Sequence, residues 1–379
     1  MSSYFGGRAE VHIRRTVVPA IYCDFASMYP TVCTLMSLWR FVIARGVDEE
    51  DATAETQALL DNVQLADLQG GATWGRLTTL VQVLPDADIF PVRARYATRI
   101  KEQTKSADMP NIGVNYLSAH RPLWFTLADC VASKLLTGKA PKVVRAIRFS
   151  AKPPQPSLRA VEITGNREFQ VDPYKDDFYK RVIELRRRVK GDLRDLKRRD
   201  PNGQEVKNLA MNELALKILA NATSYGIFIE LNVEDADDDD PPLPIFTSQG
   251  KRLVESGKRE KPGRYYHPLL ATLITGAARL MLALTERLAF EHGLNWAFCD
   301  TDSMAFANTA RLPFDEFIGR VQGISDWFVP LNPYEPAPKK GPVSILEMED
   351  ENFSTEEGKE NEVRTSLLLR DLGQALRSL

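Results

Sequence analysis

Two aspartates one residue apart, in the run Cys299-Asp300-Thr301-Asp302-Ser303, constrain this chain more than any other feature. The flanking residues, 295–299 and 303–308, are largely apolar and read as the two strands of a tight β-hairpin with the aspartates at its tip. Folding alone gives little reason to crowd two negative charges at one turn. A metal ion does. A lone D-x-D turn is most often only a turn, so its weight depends on what the rest of the chain places beside it.

A second candidate carboxylate is Asp24. Residues 20–24 read as a strand ending on Asp24. Pro19 argues against a central strand reaching further back. Pro30 suits the first turn of a helix running to about Trp39. Strand, turn and helix are therefore the expected setting of Asp24. Residues 46–72 are polar and contain glycine, which predicts a surface excursion. Apolar residues at helical spacing predict a helix over 122–138, ending at Gly138. Residues 174–199 and 205–225 predict two helices joined by the turn Asp200-Pro201-Asn202-Gly203, a helical hairpin with a basic first arm. Pro268 opens an amphipathic helix that Gly293 ends, just before the aspartate hairpin.

A chain of 379 residues is too long for one simple core and implies two or three subdomains. Its net charge of −2 does not announce a nucleic-acid binder, but the distribution is uneven. Residues 175–207 hold 12 Lys and Arg against 7 Asp and Glu. The acidic run over residues 234–240 reads as a solvated loop. Cys23, Cys33, Cys130 and Cys299 show no C-x-x-C spacing and read as buried packing residues in a reducing compartment. With no secretory pattern and no run of 18 apolar residues, the expectation is an intracellular protein, cytoplasmic or nucleoid-associated, without a membrane partner.

Asp24 and Asp300 each end a strand, so both can meet on one sheet face. Carboxylates are the oxygen ligands magnesium prefers, with water and substrate phosphates completing its shell. Two such ions about 4 Å apart can clamp an in-line displacement at phosphorus. Asp302 is a supporting or outer ligand in this reading, and the residues alone do not rank it against Asp300. Arg186 and Lys190 share a helix face, and Lys217, Asn221 and Tyr225 follow at spacings of four on the next helix. A cation row from two antiparallel helices can grip a triphosphate and neutralise the departing pyrophosphate. The same basic residues also suit a solvated helix face or a phosphate backbone. Tyr29 stands where a ring could lie under the sugar of an incoming nucleotide and clash with a 2′-hydroxyl. Tyr225 could stack beneath a base pair. Each ring could also simply pack.

Taken together, these runs resemble the polymerase core of family B DNA polymerases. Asp24-Phe25-Ala26-Ser27-Met28-Tyr29-Pro30 looks like the D-x-x-S-L-Y-P motif, with Met28 in place of leucine. The run from Lys217 to Gly226 looks like K-x-x-x-N-S-x-Y-G, and the Asp300 run like Y-x-D-T-D-S. Tyr4-Phe5-Gly6-Gly7 is similar to the Y-x-G-G element. The resemblance spans roughly residues 4–308.

The resemblance implies an α+β fold: a right-hand palm of antiparallel sheet with packed helices, and an α-helical hairpin as fingers. It divides the chain into an N-terminal palm part with an insertion (1–172), fingers (173–225), a C-terminal palm part with the catalytic hairpin (226–330) and a charged tail or thumb remnant (331–379). It implies that Asp24 and Asp302 are the principal metal-binding carboxylates with Asp300 close by, holding two Mg2+ ions, or Mn2+. Ser27, Met28, Tyr29, Arg186, Lys190, Lys217, Asn221 and Tyr225 would bind the nucleotide. Tyr4, Gly6, Gly7 and Thr301 would bind DNA. The implied function is template-directed DNA synthesis on a primer–template from deoxynucleoside triphosphates, with separate thumb, exonuclease or clamp subunits as further partners. The alternative is a non-catalytic DNA-binding remnant.

Three departures qualify it. One extra residue separates Asn221 from Tyr225, which rotates the ring by about 100° on an ideal helix. Either a bulge absorbs the shift or Ser224 takes the tyrosine's place. No segment before Tyr4 matches an exonuclease, so proofreading is not expected. No K-K-x-Y element follows the palm, because Lys339-Lys340 is followed by Gly-Pro.

Overall fold

A computed structural model of the chain describes residues 3–94, 111–237, 239–247, 250–335 and 341–354. Its centre is the helix Pro268–Glu291, which is buried on nearly every face. His267 Nδ1 accepts the Leu270 N–H at 3.3 Å, Pro268 fits the first turn, and Gly293 releases the chain at φ 67°. This helix is long and apolar enough to cross a membrane, yet 89% of its apolar window is enclosed by protein. Its hydrophobicity on all sides is that of a core element.

Against it lies a five-stranded antiparallel sheet. The order is Ala9–Val11, Asn295–Asp300, Ser303–Ala307, Ala20–Phe25 and Leu346–Glu351. In Ala20–Phe25 the side chains of Ile21, Cys23 and Phe25 are buried, which turns Tyr22 and Asp24 to the opposite face. All four cysteines are free and buried, as packing residues would be.

The fifth strand lies inside the stretch read as a charged tail or thumb remnant (331–379) and puts charged residues of it into the sheet. Glu347 pairs with Asp24 and Met348 with Cys23 in the sheet register. Residues 355–379, the rest of that expected tail, and Lys339-Lys340 lie outside the described residues.

The expected helical hairpin is present as Phe178–Arg199 and Gln204–Ser224. It has its own small core, including Val182, Ile183, Leu185, Val189, Leu216, Ala220 and Tyr334, separate from the main one. The expected surface excursion over 46–72 is instead folded. Val47–Asp51 is an edge strand of a four-stranded sheet with Val143–Ala151, Thr79–Val83 and Leu123–Thr126. Leu60, Leu68 and Trp74 are fully buried beside it. Few but large apolar residues anchor a segment whose average composition is polar. The helix expected over 122–138 starts later, at Leu127, because Thr126 and Asp129 form a reciprocal capping box. Of the acidic run, Glu234 and Asp235 stand exposed on a two-stranded ribbon, where Glu234 pairs with Lys261 at 2.6 Å, and Asp240, beyond the strand, pairs with the ribbon's Arg259 at 3.2 Å.

Candidate active site

Sheet register brings the two key carboxylates together. Ser303 is the partner of Asp24, and the Phe25 N–H donates to the Asp302 carbonyl at 2.9 Å. Asp302 therefore immediately precedes the strand Ser303–Ala307, and Asp24 stands one residue before the end of the neighbouring strand Ala20–Phe25. The hairpin tip is held by the Asp302 N–H on the Asp300 carbonyl (2.6 Å) and the Thr301 N–H on the Arg8 carbonyl (2.8 Å). Thr301 at φ 58° and Ser27 at φ 56° adopt the left-handed conformation that non-glycine residues rarely take. One such residue sits in the turn after each strand, so both chain reversals at the site are sterically demanding.

Asp24 and Asp302 open onto a cavity of about 1000 Å3 between sheet and helical hairpin. Its walls have opposite charge. The sheet contributes Asp24, Asp302, Glu347 and Glu349, and the hairpin contributes Arg186, Arg187, Lys190, Arg194, Lys197, Arg198 and Lys217. Ser27 and Asn221 also line it, whereas Asp300 does not. Asp300 instead accepts the Thr301 hydroxyl at 3.0 Å.

Burial, then the neighbouring charges of Asp302, Glu349 and Glu347, push the Asp24 carboxyl up to about 8 against the opposing Phe25 N–H. Burial and Asp300 push Asp302 up to about 6, with Glu349 adding to the rise and Lys217 opposing it. Burial and carboxylate repulsion outweigh the one cation, Lys217, that opposes them at Asp302. Among the described residues, no group of three or more His, Cys, Asp or Glu is arranged to cage a metal by itself. Magnesium does not require one, since one or two carboxylates plus substrate phosphates and water suffice. The donor set is all oxygen, and its strained protonation is the condition a divalent cation relieves. The residues fit the ion.

The aromatic residues form a separate group beside the cavity. The Tyr29 and Tyr225 rings stack with centroids 4.8 Å apart and planes inclined by 10°. The Tyr225 hydroxyl meets that of Tyr4 at 3.0 Å. The extra residue of the 217–226 run is absorbed by ending the helix at Ser224. Ser224 is buried with its hydroxyl donating to the Ala220 carbonyl at 2.6 Å, while Tyr225 leaves the helix at φ −143° and reaches Tyr29. Of the two residues, it is Tyr225 whose side chain reaches Tyr29 and Ser224 whose side chain is buried.

Gly7 packs so closely here that a Cβ would lie 3.0 Å from Thr301 Cγ2 and 3.2 Å from the Tyr29 hydroxyl. Met28 is placed differently from its neighbours Ser27 and Tyr29. Its side chain is 2% exposed in the main core, so only its main chain can face a ligand. An apolar residue opening the helix after the turn packs inward.

Sequence reasoning missed four contributors. Glu347 and Glu349 recur at strand period in an otherwise charged stretch, a signal masked by the acidic residues around them. Arg279, 2% exposed, grips Asp129 through Nε (2.8 Å) and Nη2 (2.9 Å), and its Nη1 donates to the carbonyls of Phe5 (3.0 Å) and Gly6 (2.7 Å). It thereby fixes the segment that carries Tyr4 to Tyr225. Arg8 is equally buried and pairs with Glu10 (2.7 Å) and Glu286 (2.6 Å), holding the carbonyl that receives Thr301. Both arginines lie outside the recognisable runs.

No protein-family model matches this chain, and no curated protein matches it. Among solved structures it is similar to phi29 DNA polymerase complexed with primer–template DNA and incoming nucleotide substrates, with a TM-score of 0.38 and 16% identity over 92% of this chain and 47% of that one. The orthorhombic crystal form of phi29 DNA polymerase gives a TM-score of 0.36 and 16% identity, covering 83% of this chain and 43% of that one. The chain spans about half the length of these structures.

Proposed function

We propose that this chain is a DNA polymerase core that joins deoxynucleotides to a primer 3′-hydroxyl. The observation that carries the reading is the bipolar cavity, with carboxylates on one wall and cations on the other. A metal-bound triphosphate matches such a cavity. Its cations would sit against Asp24 and Asp302, and its phosphates against Lys217, Lys190 and Arg186. A wholly basic groove would suit a nucleic-acid backbone alone, and a wholly acidic one a cation alone.

Asp24 and Asp302 would hold Mg2+, which when bound supplies charge stabilisation to the attacking hydroxyl and the leaving pyrophosphate. Lys217 and Lys190 would neutralise the negative charge that grows on the departing phosphates. Ser27 presents its hydroxyl to the cavity beside Arg186. The Tyr29 ring, held against Tyr225, would exclude a 2′-hydroxyl by contact. The clamped Tyr4–Gly7 segment, with Thr301, would face the primer–template.

Primer extension tests the proposal. The purified chain is incubated with primed template, Mg2+ and deoxynucleotides, beside Asp302→Ala. Extension by the parent that the variant loses is the expected result. Measurable primer–template binding with no extension at high protein concentration would leave a DNA-binding remnant in its place.

A further inference from the structure

The cationic wall of the cavity contains one residue of the wrong sign. Glu213 is the single acidic side chain that the described helical hairpin contributes to the cavity lining. It stands one helical turn before Lys217 and two before Asn221, so all three share a face. A carboxylate there opposes any polyanion, yet it is partly buried and engaged. Arg186 Nε donates to Glu213 Oε1 at 2.8 Å, with the two side chains 20% and 19% exposed. The same guanidinium donates from Nη1 to Ser27 Oγ at 3.2 Å. Arg186 thus ties the first arm of the hairpin to the second, and both to the turn three residues after Asp24.

We propose that Glu213 is a positioning residue for the triphosphate. It holds the Nε edge of Arg186, so that the Nη edge is aimed at the phosphates of the incoming nucleotide. This rests on the nucleotide-binding reading of the cavity. The geometry favours it because a guanidinium is a planar fork whose value to phosphate is directional. Held at Nε, it keeps its Nη donors for a ligand, and Ser27 Oγ is a neutral partner that a phosphate oxygen can displace. Without Glu213, Arg186 is a long side chain with one weak tether.

Two effects of removing Glu213 have opposite signs, which makes the inference testable. Losing a negative charge from a wall that holds seven cations would tighten triphosphate binding. Losing the orientation of Arg186 would weaken it. The proposal commits to weakening.

The test measures binding of a deoxynucleoside triphosphate with Mg2+ by calorimetry, together with KM and kcat in primer extension. Parent, Glu213→Ala, Glu213→Gln, Arg186→Ala and the double alanine variant are compared. Glu213→Ala is expected to weaken binding about tenfold, the scale of one charge-assisted hydrogen bond, with the loss falling on KM rather than kcat. Glu213→Gln keeps an oxygen for Nε and should recover part of it. The double variant should be no worse than Arg186→Ala alone. Binding unchanged or tightened in Glu213→Ala, or losses that multiply in the double variant, would overturn the inference. Because glutamine is nearly isosteric, it keeps the test valid if alanine perturbs the hairpin. Glu213-dependent triphosphate binding without extension would sink the polymerase reading and leave this inference standing. Extension with no Glu213 dependence would do the reverse.

Discussion

The acidic wall of the cavity is made of strands, and the cationic wall of helices. On the sheet side, Asp24, Asp302 and Glu347 are placed by main-chain register, with Ser303 and Glu347 both opposite Asp24. Shifting that register by one residue would turn Asp24 or Glu347 to the other face of the sheet. On the helical side, long flexible side chains reach the cavity from a hairpin with its own small core. The acidic wall is therefore exact in position and strained in charge, because burial and repulsion raise Asp24 and Asp302 well above ordinary carboxylates. The cationic wall is more open, redundant in charge, and depends on local tethers such as the Arg186–Glu213 pair. Substitutions should act all-or-none on the first wall and by degrees on the second.

The largest effect is expected from Asp302→Ala, with primer extension falling on the order of a thousandfold or more, a scale typical of losing a key electrostatic group. A variant retaining more than about a tenth of parental activity would break the contrast. On the opposite wall, Lys217→Ala should lower triphosphate affinity roughly tenfold, the worth of one charge-assisted bond. Unchanged affinity would remove Lys217 from the site. Between the walls, Tyr29→Ala should raise ribonucleotide incorporation several-fold relative to deoxyribonucleotide. An unaltered ratio in an active enzyme would show that the ring merely packs against Tyr225.

The smallest effect is on stability. Asp24 at about 8 and Asp302 at about 6 keep protons in the folded state that the unfolded chain releases near pH 4. The folded state binds more protons, so these groups stabilise the fold at low pH, and that contribution is lost as pH rises through 6 and then 8. In chelator-treated protein, the melting temperature should fall by a few degrees across that window. Asp24→Asn should flatten the fall, and Mg2+ should raise the melting temperature more at the alkaline end. A melting temperature that climbs over this window without divalent ions would show that the carboxylates are not crowded.

Much of this organisation is legible in the residues. Pro268 and Gly293 mark the core helix, Asp200-Pro201-Asn202-Gly203 marks the turn of the helical hairpin, and the strands around Asp300 and Asp24 lie nearly where the pattern puts them. Local rules decide such features, since caps, turns and periodicity act over a few residues. The folded insertion after Val47 escaped because its few buried anchors, Leu60, Leu68 and Trp74, are diluted by polar neighbours. Arg8 and Arg279 escaped for another reason. A buried arginine is defined by partners such as Glu286 and Asp129 that lie far off in the chain.

By itself the sequence determined which side chains could do chemistry, and on which strand end or helix face each stands. It did not determine which of them meet. That Asp302 lines the cavity while Asp300 does not, that Tyr225 stacks on Tyr29, and that Glu347 and Glu349 join the acidic wall are visible only in the tertiary structure. The physical reason is register. Whether a carboxylate faces the cavity or the core depends on which residue of a distant strand it is paired with, and that pairing is set by the burial of the whole sheet against one helix.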